Sequence, residues 1–272
     1  MSARQPSALA RFWRPRGWLW AALGVVWALS PACRKPGEGK LREGNAAAQA
    51  GKLEEARRAF SEAALALPGD PRPRVLEGNA QFALGRLAEA QASWNAALER
   101  DPSNAEAHLG LARVALEGQD AGVALQHLSS VGAGLESSLG VEVETVRARA
   151  LLTRGAKGDA ELALSAAEAA LALRADFPQA LHLKGSALLV LGRYSDAQAA
   201  FEHLQATHPK SPLGPYGLAR LAAAQGRATD VLLHLQAAKT AAGPAWKAER
   251  VAADPAFVFL STSEGFLALV GK

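Results

Sequence analysis

Apolar and polar residues recur along the chain with the period of a helix, in units of mostly 34 residues, most of which contain a turn glycine. In most units an alanine follows the glycine by five residues, and a large apolar residue follows the alanine by four. Residues four apart lie on one face of an α-helix, so this face is predicted to be buried. The glycine marks the end of a preceding helix, because it adopts the left-handed backbone of a tight turn without steric cost. The glycines are Gly51, Gly85, Gly158, Gly192 and Gly226, the alanines Ala56, Ala90, Ala163 and Ala197, and the apolar residues Phe60, Trp94, Leu128, Phe201 and Leu235.

Prolines mark the exits from three of these units. Pro68, Pro102 and Pro209 each follow their glycine by seventeen residues, and proline cannot continue a helix. No stretch alternates apolar and polar residues convincingly with the period of two that a half-buried strand requires. A fixed repeat of this length therefore predicts helix pairs stacked into a solenoid, in which each pair packs on its neighbours.

The recurring small, apolar and proline residues resemble the tetratricopeptide repeat, a helix–turn–helix unit of about 34 residues. In that family's register, six repeats cover residues 37–245. The resemblance implies an all-α, right-handed solenoid of about six helix–turn–helix units. It also implies a concave surface that binds a protein or peptide partner. The repeats are expected to begin near Gly37, Pro71, Ala105, Glu144, Pro178 and Pro212.

The repeat is irregular at its centre. The third unit has Gln119 at the turn between its helices, where the neighbouring Gly118 is expected to supply the left-handed residue. The starts of the third and fourth units are 39 residues apart, and the five extra residues fall in the Gly- and Ser-rich stretch 129–140. This composition predicts a loop. The loop is either a longer surface connection or a hinge between two lobes of three repeats each.

Residues 1–32 have the pattern of a secretory signal peptide. Four arginines precede the apolar run 18–29, and the small residue Ala32 closes the segment. The run is shorter than the roughly 20 residues that a transmembrane helix needs. Cys33, the only cysteine, resembles the lipidated cysteine of bacterial lipoproteins, although Ser30 replaces the leucine preferred in that motif. Two other outcomes are a cut after Ala32 by ordinary signal peptidase and an uncleaved anchor.

Lipidation of Cys33 would set the location of the protein. Two or more acyl chains on this residue would hold the chain stably on a membrane, with residues 33–36 as a lipidated N-terminus and linker. Arg34, and not an aspartate, follows the cysteine. By resemblance to enteric-type sorting, this implies transport to the outer membrane. We therefore expect a protein of the bacterial cell envelope that faces the periplasm.

The net charge of +4 comes from the predicted signal peptide. The whole chain has 30 basic and 26 acidic residues, and the four arginines of residues 1–32 have no acidic companions, which leaves 26 residues of each sign. Nucleic-acid binding usually requires a basic surface. We therefore expect no nucleic acid among the partners.

The chain carries no motif for catalysis, for a metal or for a cofactor. Its six histidines form no HExxH motif, and its single cysteine excludes a paired CxxC motif. The serines lack a nucleophile-elbow context, and no glycine-rich loop follows a strand to bind phosphate. We expect no enzymatic activity, no catalytic residue, no metal and no cofactor.

Candidate binding residues lie on the first helix of each repeat, because the resemblance implies that these helices line the concave surface. Amide and guanidinium groups suit the backbone carbonyls and carboxylates of an extended peptide, and aromatic side chains supply anchoring area. The candidates for the partner-binding groove are Asn45, Asn79, Phe82, Arg113, Arg149, His182, Tyr216 and Arg220.

Residues 246–272 follow the last repeat and are predicted to cap it. Their Asp-Pro turn and paired apolar clusters resemble the closing segment of many bacterial tetratricopeptide arrays. A terminal repeat needs such a cover, because its outer apolar face has no neighbour. Trp246, Phe257, Phe259 and Phe266 are expected to form the core of this cap.

These features together predict an exported, lipid-anchored scaffold that binds a protein partner. Six repeats behind a lipidation motif resemble the pilotins of type IV pilus systems, which guide secretin subunits to the outer membrane. The resemblance implies a role in assembling an envelope complex. An alternative is an inner-membrane tether whose repeats assist the folding of exported proteins and bind unfolded chains broadly.

Overall fold

Helices and the short turns between them make up the fold. A computed structural model describes residues 36–132, 135 and 137–271, and it contains no strand within those ranges. Six helix pairs follow one another in this part of the chain, and consecutive helices pack together. The all-α solenoid predicted from the repeat is confirmed. The pairs are α1 (Pro36–Gln49) with α2 (Leu53–Ala66), α3 (Arg72–Ala83) with α4 (Leu87–Leu98), α5 (Ala105–Glu117) with α6 (Ala121–Ser129), α7 (Ser137–Arg154) with α8 (Asp159–Leu173), α9 (Pro178–Val190) with α10 (Tyr194–Thr207), and α11 (Leu213–Ala224) with α12 (Ala228–Ala242).

The turn inside each pair has a left-handed residue at one equivalent position, and the fourth pair has a second one at Gly155, with φ of +62°. Five of the six pairs have a glycine there, with φ between +71° at Gly192 and +86° at Gly158. In the third pair, Gln119 itself is left-handed, with φ of +62°, whereas Gly118 has φ of −81°. The expectation that Gly118 would supply this conformation was wrong. The turn needs a positive φ at one particular position, and glutamine adopts it there despite the steric cost.

Large side chains from the second helices insert between neighbouring first helices. Trp94 of α4 is 1% exposed, and its ring lies against Gly78 of α3 and Gly110 of α5. A Cβ atom would lie 2.6 Å from the indole ring if added at Gly78 and 2.4 Å from it if added at Gly110. Phe201 of α10 is held in the same way between glycines of α9 and α11. Because packing of this kind tolerates little added volume, these glycines set the spacing of the stack.

The predicted loop 129–140 is shorter than expected. Helix α6 ends at Ser129 and α7 begins at Ser137, so residues 137–140 are helical. With 18 residues, α7 starts seven residues before the expected repeat start at Glu144. The insertion therefore lengthens a helix as well as a loop. The two interpretations of the connection, a simple loop or a hinge, both stay predictions.

The last residues form a cover over the sixth pair. Two short helices, α13 (Ala248–Ala252) and α14 (Glu264–Val270), alternate with the 3-10 turns Gly243–Ala245 and Pro255–Leu260. Phe257 and Phe266 are 1% and 3% exposed and pack with the buried Val231 and Leu235 of α12. Phe259 is 49% exposed, so its expected place in the cap core was wrong.

Trp246 lies at the edge of this cover. Its side chain is half-buried and packs against the apolar cluster of the sixth pair. The indole Nε1–H donates to the carbonyl of Leu269 at 3.3 Å. Trp246 therefore joins the first turn of the cover to its last helix.

The predicted signal peptide and Cys33 lie outside the described residues. Among the helices that the structure does describe, none combines the length and the apolar character needed to cross a membrane.

Candidate functional site

One face of the solenoid is built from the first helices of successive pairs, and we call it the groove. Two cavities lie side by side in it, with volumes of about 350 Å³ and 450 Å³. Arg113 and Glu142 line both cavities and therefore stand between them. The first cavity is lined by Leu76, Asn79, Phe82, Trp94, Glu106, Leu109, Arg113, Ser138, Leu139 and Glu142, and the second by Arg113, Glu142, Thr145, Val146, Arg149, Phe177, Gln179, His182, Leu183 and Leu213.

An ion pair divides the groove. The Nη2 atom of Arg113 on α5 lies 2.5 Å from Oε2 of Glu142 on α7. The two side chains are 36% and 44% exposed, so water screens the pair and its net contribution is about 0–1 kcal/mol. A partner with a better-placed group can displace this bridge at little cost.

The first cavity presents an amide and two aromatic rings. The indole Nε1–H of Trp94 donates to Oδ1 of Asn79 at 3.2 Å, and the rings of Trp94 and Phe82 lie 5.9 Å apart in a tilted arrangement. Because the amide oxygen of Asn79 accepts this hydrogen bond, its NH₂ group is the part of the side chain that can donate to a partner. Asn45 lies on α1, exposed, and lines neither cavity.

Arg149 borders the second cavity from α7. Its Nη2 atom donates to Oε1 of Glu117, at the end of α5, at 3.1 Å. Both side chains are more than two-fifths exposed, so this pair is also a weak surface bridge. The groove arginines Arg113 and Arg149 thus each contact an acid from another helix.

His182 is a neutral hydrogen-bonding group in the second cavity. Its Nδ1–H donates to the carbonyl of Leu213 at 3.1 Å, and its ring lies 5.7 Å from that of Phe201 and 6.5 Å from that of Tyr216. Burial lowers the pKa of His182 to about 4, with a smaller lowering from Arg220, while the Leu213 carbonyl opposes the shift. At neutral pH the ring is therefore uncharged, and Nε2 carries the lone pair.

Tyr216 and Arg220 contact the C-terminal cover. The hydroxyl of Tyr216 donates to Oδ2 of Asp254, and Nε of Arg220 lies 3.5 Å from the same oxygen. Burial, followed by the bond to Asp254, raises the pKa of Tyr216 above its usual range. These two predicted groove residues therefore hold the chain's own Asp254, and neither lines the two cavities.

The acids that pair with the groove arginines were missed by the sequence analysis. Glu142 lies on the extra turns of α7, Glu117 at the end of α5, and Asp254 in the C-terminal cover. None of them occupies a position that the repeat marks as facing a partner. The only signal was the Asp-Pro turn at Asp254, which resembles the closing segment of such arrays but does not indicate a contact with the groove.

The structure also bears on metal binding. Within residues 36–132, 135 and 137–271, no group of three or more His, Cys, Asp or Glu side chains lies together in an arrangement that could hold a metal ion.

His182 makes the fold sensitive to acid. Its folded pKa of about 4 lies below the ordinary value of 6.5, so the unfolded chain binds the proton more readily between these values. The contribution of neutral His182 to stability should be full above about pH 6.5 and decrease by about 3 kcal/mol as the pH falls to about 4. Urea unfolding curves across this range measure the loss.

Two matched variants isolate the contribution of His182. His182→Phe should remove most of the pH dependence, and His203→Phe, a change at an exposed site on α10, should leave it in place. Burial also lowers the pKa values of His127 and His234. These two residues therefore contribute a smaller loss of stability at low pH, which both variants keep. If the free energy of unfolding of His182→Phe fell with pH as steeply as that of the wild type, His182 would not be the source of the pH dependence.

Comparison with known proteins identifies a repeat family and solved structures of similar fold. A family model described as tetratricopeptide repeat matches residues 75–133, 147–212 and 182–245. Among solved structures, PilW, described as a widely conserved type IV pilus biogenesis factor, has a TM-score of 0.66 at 14% identity over 87% of this chain and 99% of that one. Pseudomonas aeruginosa pilF has a TM-score of 0.59 at 16% identity over 75% and 90%.

A third solved structure is YrrB, described as a tetratricopeptide repeat protein with an unusual peptide-binding site. Its TM-score is 0.52 at 22% identity, over 70% of this chain and 94% of that one. At these identities the likenesses concern the fold alone. A search of curated protein sequences finds no match.

Proposed function

The chain belongs to the tetratricopeptide repeat family, and from that premise we propose that it is an exported, lipid-anchored scaffold that assists the assembly of an envelope complex. Proteins of this family bind protein or peptide partners and generally have no catalytic role. The chain is accordingly a scaffold for protein–protein interaction. The proposal adds that the protein is located in the bacterial envelope and that it binds its partner through the groove.

The groove is the observation that carries the proposal. Its two cavities combine apolar walls with an amide at Asn79, an imidazole at His182 and a guanidinium at Arg113. Cavities of several hundred cubic ångströms with a few converging polar groups are the usual form of a binding site. The dividing ion pair is weak enough to open, so an extended segment can run through both cavities.

The envelope location rests on the N-terminal pattern. Arginines, an apolar run and Cys33 follow one another as in lipoproteins, and Arg34 agrees with outer-membrane sorting. Like PilW and pilF, the chain folds as a repeat array, and those likenesses support no more than the fold. The pilotin-like role therefore depends on the anchor and on the identity of the partner.

A cross-linked pull-down from native membranes tests the proposal. Asn79→Ala combined with Arg113→Ala removes one polar group from the first cavity and one from the boundary between the cavities. We expect the variant to lose at least tenfold of one envelope protein that the wild type captures, as measured by quantitative mass spectrometry. The matched control combines Asn95→Ala with Arg227→Ala, which are exposed positions on α4 and at the turn before α12.

The outcomes separate the proposal from its alternative. Loss of one partner in the groove variant alone supports the scaffold. Capture of many exported proteins, equally by the groove variant and the control, supports the chaperone-like tether instead. Cys33→Ser should release the protein from membranes, and an unchanged membrane fraction with an intact N-terminus would contradict lipid anchoring.

A further inference from the structure

We infer that the second cavity binds a tyrosine side chain of an uncharged, extended segment of the partner. This inference rests on the proposed function and deepens it by naming the chemistry that the groove selects. It follows from three properties of the cavity: its apolar walls, its neutralised charges and the fixed hydrogen-bonding state of His182.

The walls suit a large apolar group. Val146, Phe177, Leu183 and Leu213 contribute apolar surface to a cavity of about 450 Å³. Thr145 also lines it, but its hydroxyl donates to the carbonyl of Val141 at 2.6 Å and is therefore engaged within α7. An aromatic side chain fills such a space and buries more area than a small polar one, which gives the larger hydrophobic gain.

The charges of the cavity are already balanced. Arg113 pairs with Glu142 at 2.5 Å and Arg149 with Glu117 at 3.1 Å, so each lining cation that the structure describes has an acidic partner. Because both bridges are exposed and weak, an acidic side chain can displace Glu142 or Glu117, but it then replaces one carboxylate by another and gains little net attraction. A charged ligand therefore gains little to offset its own desolvation, and an uncharged segment is preferred.

His182 adds the requirement for a donor. Its Nδ1–H is committed to the carbonyl of Leu213, which leaves the lone pair on Nε2 at the opposite edge of the ring. Within the described residues Nε2 has no hydrogen-bond partner, and it is not among the partnerless polar atoms that are shut off from solvent there, so it is accessible in the cavity that the residue lines. A phenol hydroxyl can donate to Nε2, whereas a phenylalanine ring would cover Nε2 and leave it without a partner. Leaving a buried acceptor unpaired is costly, so the site distinguishes the two rings.

Selection of peptides on the full-length protein in detergent tests this inference. A phage-displayed library of random dodecapeptides is selected on the wild type, and the probe is the selected peptide that Phe177→Ala, a variant of the second cavity alone, fails to bind. We expect a tyrosine at a fixed position of that peptide. Changing it to phenylalanine should weaken binding to the wild type about 5–10-fold, the effect of one hydrogen bond.

The protein variant His182→Phe completes the cycle. It retains an aromatic ring but has no acceptor, so the tyrosine and phenylalanine peptides should bind it equally within about twofold. Raising the salt from about 0.05 M to about 0.5 M should change the wild-type affinity less than about twofold, because no charge pair forms. The tyrosine-to-phenylalanine comparison on the wild type does not depend on how well the variant folds.

Several results would overturn the inference. These are selection of acidic peptides with a steep salt dependence, equal binding of the two peptides to the wild type, or failure to select any groove-binding peptide. The proposed function can be judged separately, because it requires only that a native partner is lost in the Asn79→Ala, Arg113→Ala variant. If that variant loses a native partner but the selected peptides show no preference for tyrosine, the scaffold function is supported and the inference is contradicted.

Discussion

Phe257→Ala should lower the free energy of unfolding by about 3–5 kcal/mol, the cost of removing a buried aromatic side chain. Phe257 is 1% exposed and lies at the centre of the cover over the sixth helix pair. Its ring contacts that of Tyr216 edge-on at 5.9 Å and that of Phe266 at 6.2 Å. Truncation would leave a cavity between the cover and α11. Without the cover, this face of α11 would be exposed to water. Urea unfolding at neutral pH measures the change.

Phe259 provides the matched control, because it has the same side chain in the same 3-10 turn but is 49% exposed. Phe259→Ala should change stability by less than about 0.5 kcal/mol. A loss of similar size in both variants would mean that the cover is not packed as described. Little loss in either would mean that the sixth pair is stable without the cover.

Gly110→Ala should destabilise the protein by about 2–3 kcal/mol, although alanine is the better helix former by about 1 kcal/mol. The new Cβ would lie 2.4 Å from the indole of Trp94, which is 1% exposed. The indole ring cannot move away from the added methyl group, because Gly78 also lies against it. The overlap must therefore be relieved by separating α5 from α4. Thermal and urea unfolding at neutral pH measure the effect.

Two further variants identify the cause. Gly122→Ala on α6 meets only an ordinary contact of 3.5 Å to Asp120, so it should be neutral or stabilise by up to about 1 kcal/mol. In a Trp94→Leu background the smaller side chain leaves room, and Gly110→Ala should then cost less than about 1 kcal/mol. An unchanged penalty in that background would locate the strain elsewhere.

The helix pairs could be predicted from the sequence because local chemistry determines them. A glycine at a left-handed turn and an alanine and an apolar residue on one helical face are properties of a short segment. The positions of Gly192, Ala197 and Phe201 therefore predicted their unit directly. Gln119 is the exception, because stacking on neighbouring pairs fixes that turn whether or not the residue at the left-handed position is a glycine.

The length of α7 could not be predicted in the same way. Residues 129–140 are rich in glycine and serine, which indicates a loop, yet helix begins at Ser137. Tertiary packing overrides this local preference: Leu139 lies partly buried against the cluster formed by Leu109 and Leu128. A single sequence contains no direct record of that contact.

The candidate site was predicted in part. Asn79, Phe82 and Arg113 line the first cavity, and Arg149 and His182 the second. The repeat gave these positions because it indicates which helical face lines the groove. It did not give the partners of the arginines, because those carboxylates lie outside the repeated positions, and pairing across distant segments depends on the folded geometry.

The extra turns of α7 have a consequence for how such arrays diverge. Glu142 lies on α7 two residues before Glu144, where the expected fourth repeat begins. The first helices of the other pairs begin within one residue of their expected repeat starts, so in a regular array the position of Glu142 would lie in the connection and not on the helix. The groove would then present Arg113 as an unpaired cation. A change in chain length between two repeats can thus invert the preference of a binding face from acidic to neutral ligands without any substitution on that face. Insertions between repeats are, in this array, a route to new specificity during evolution.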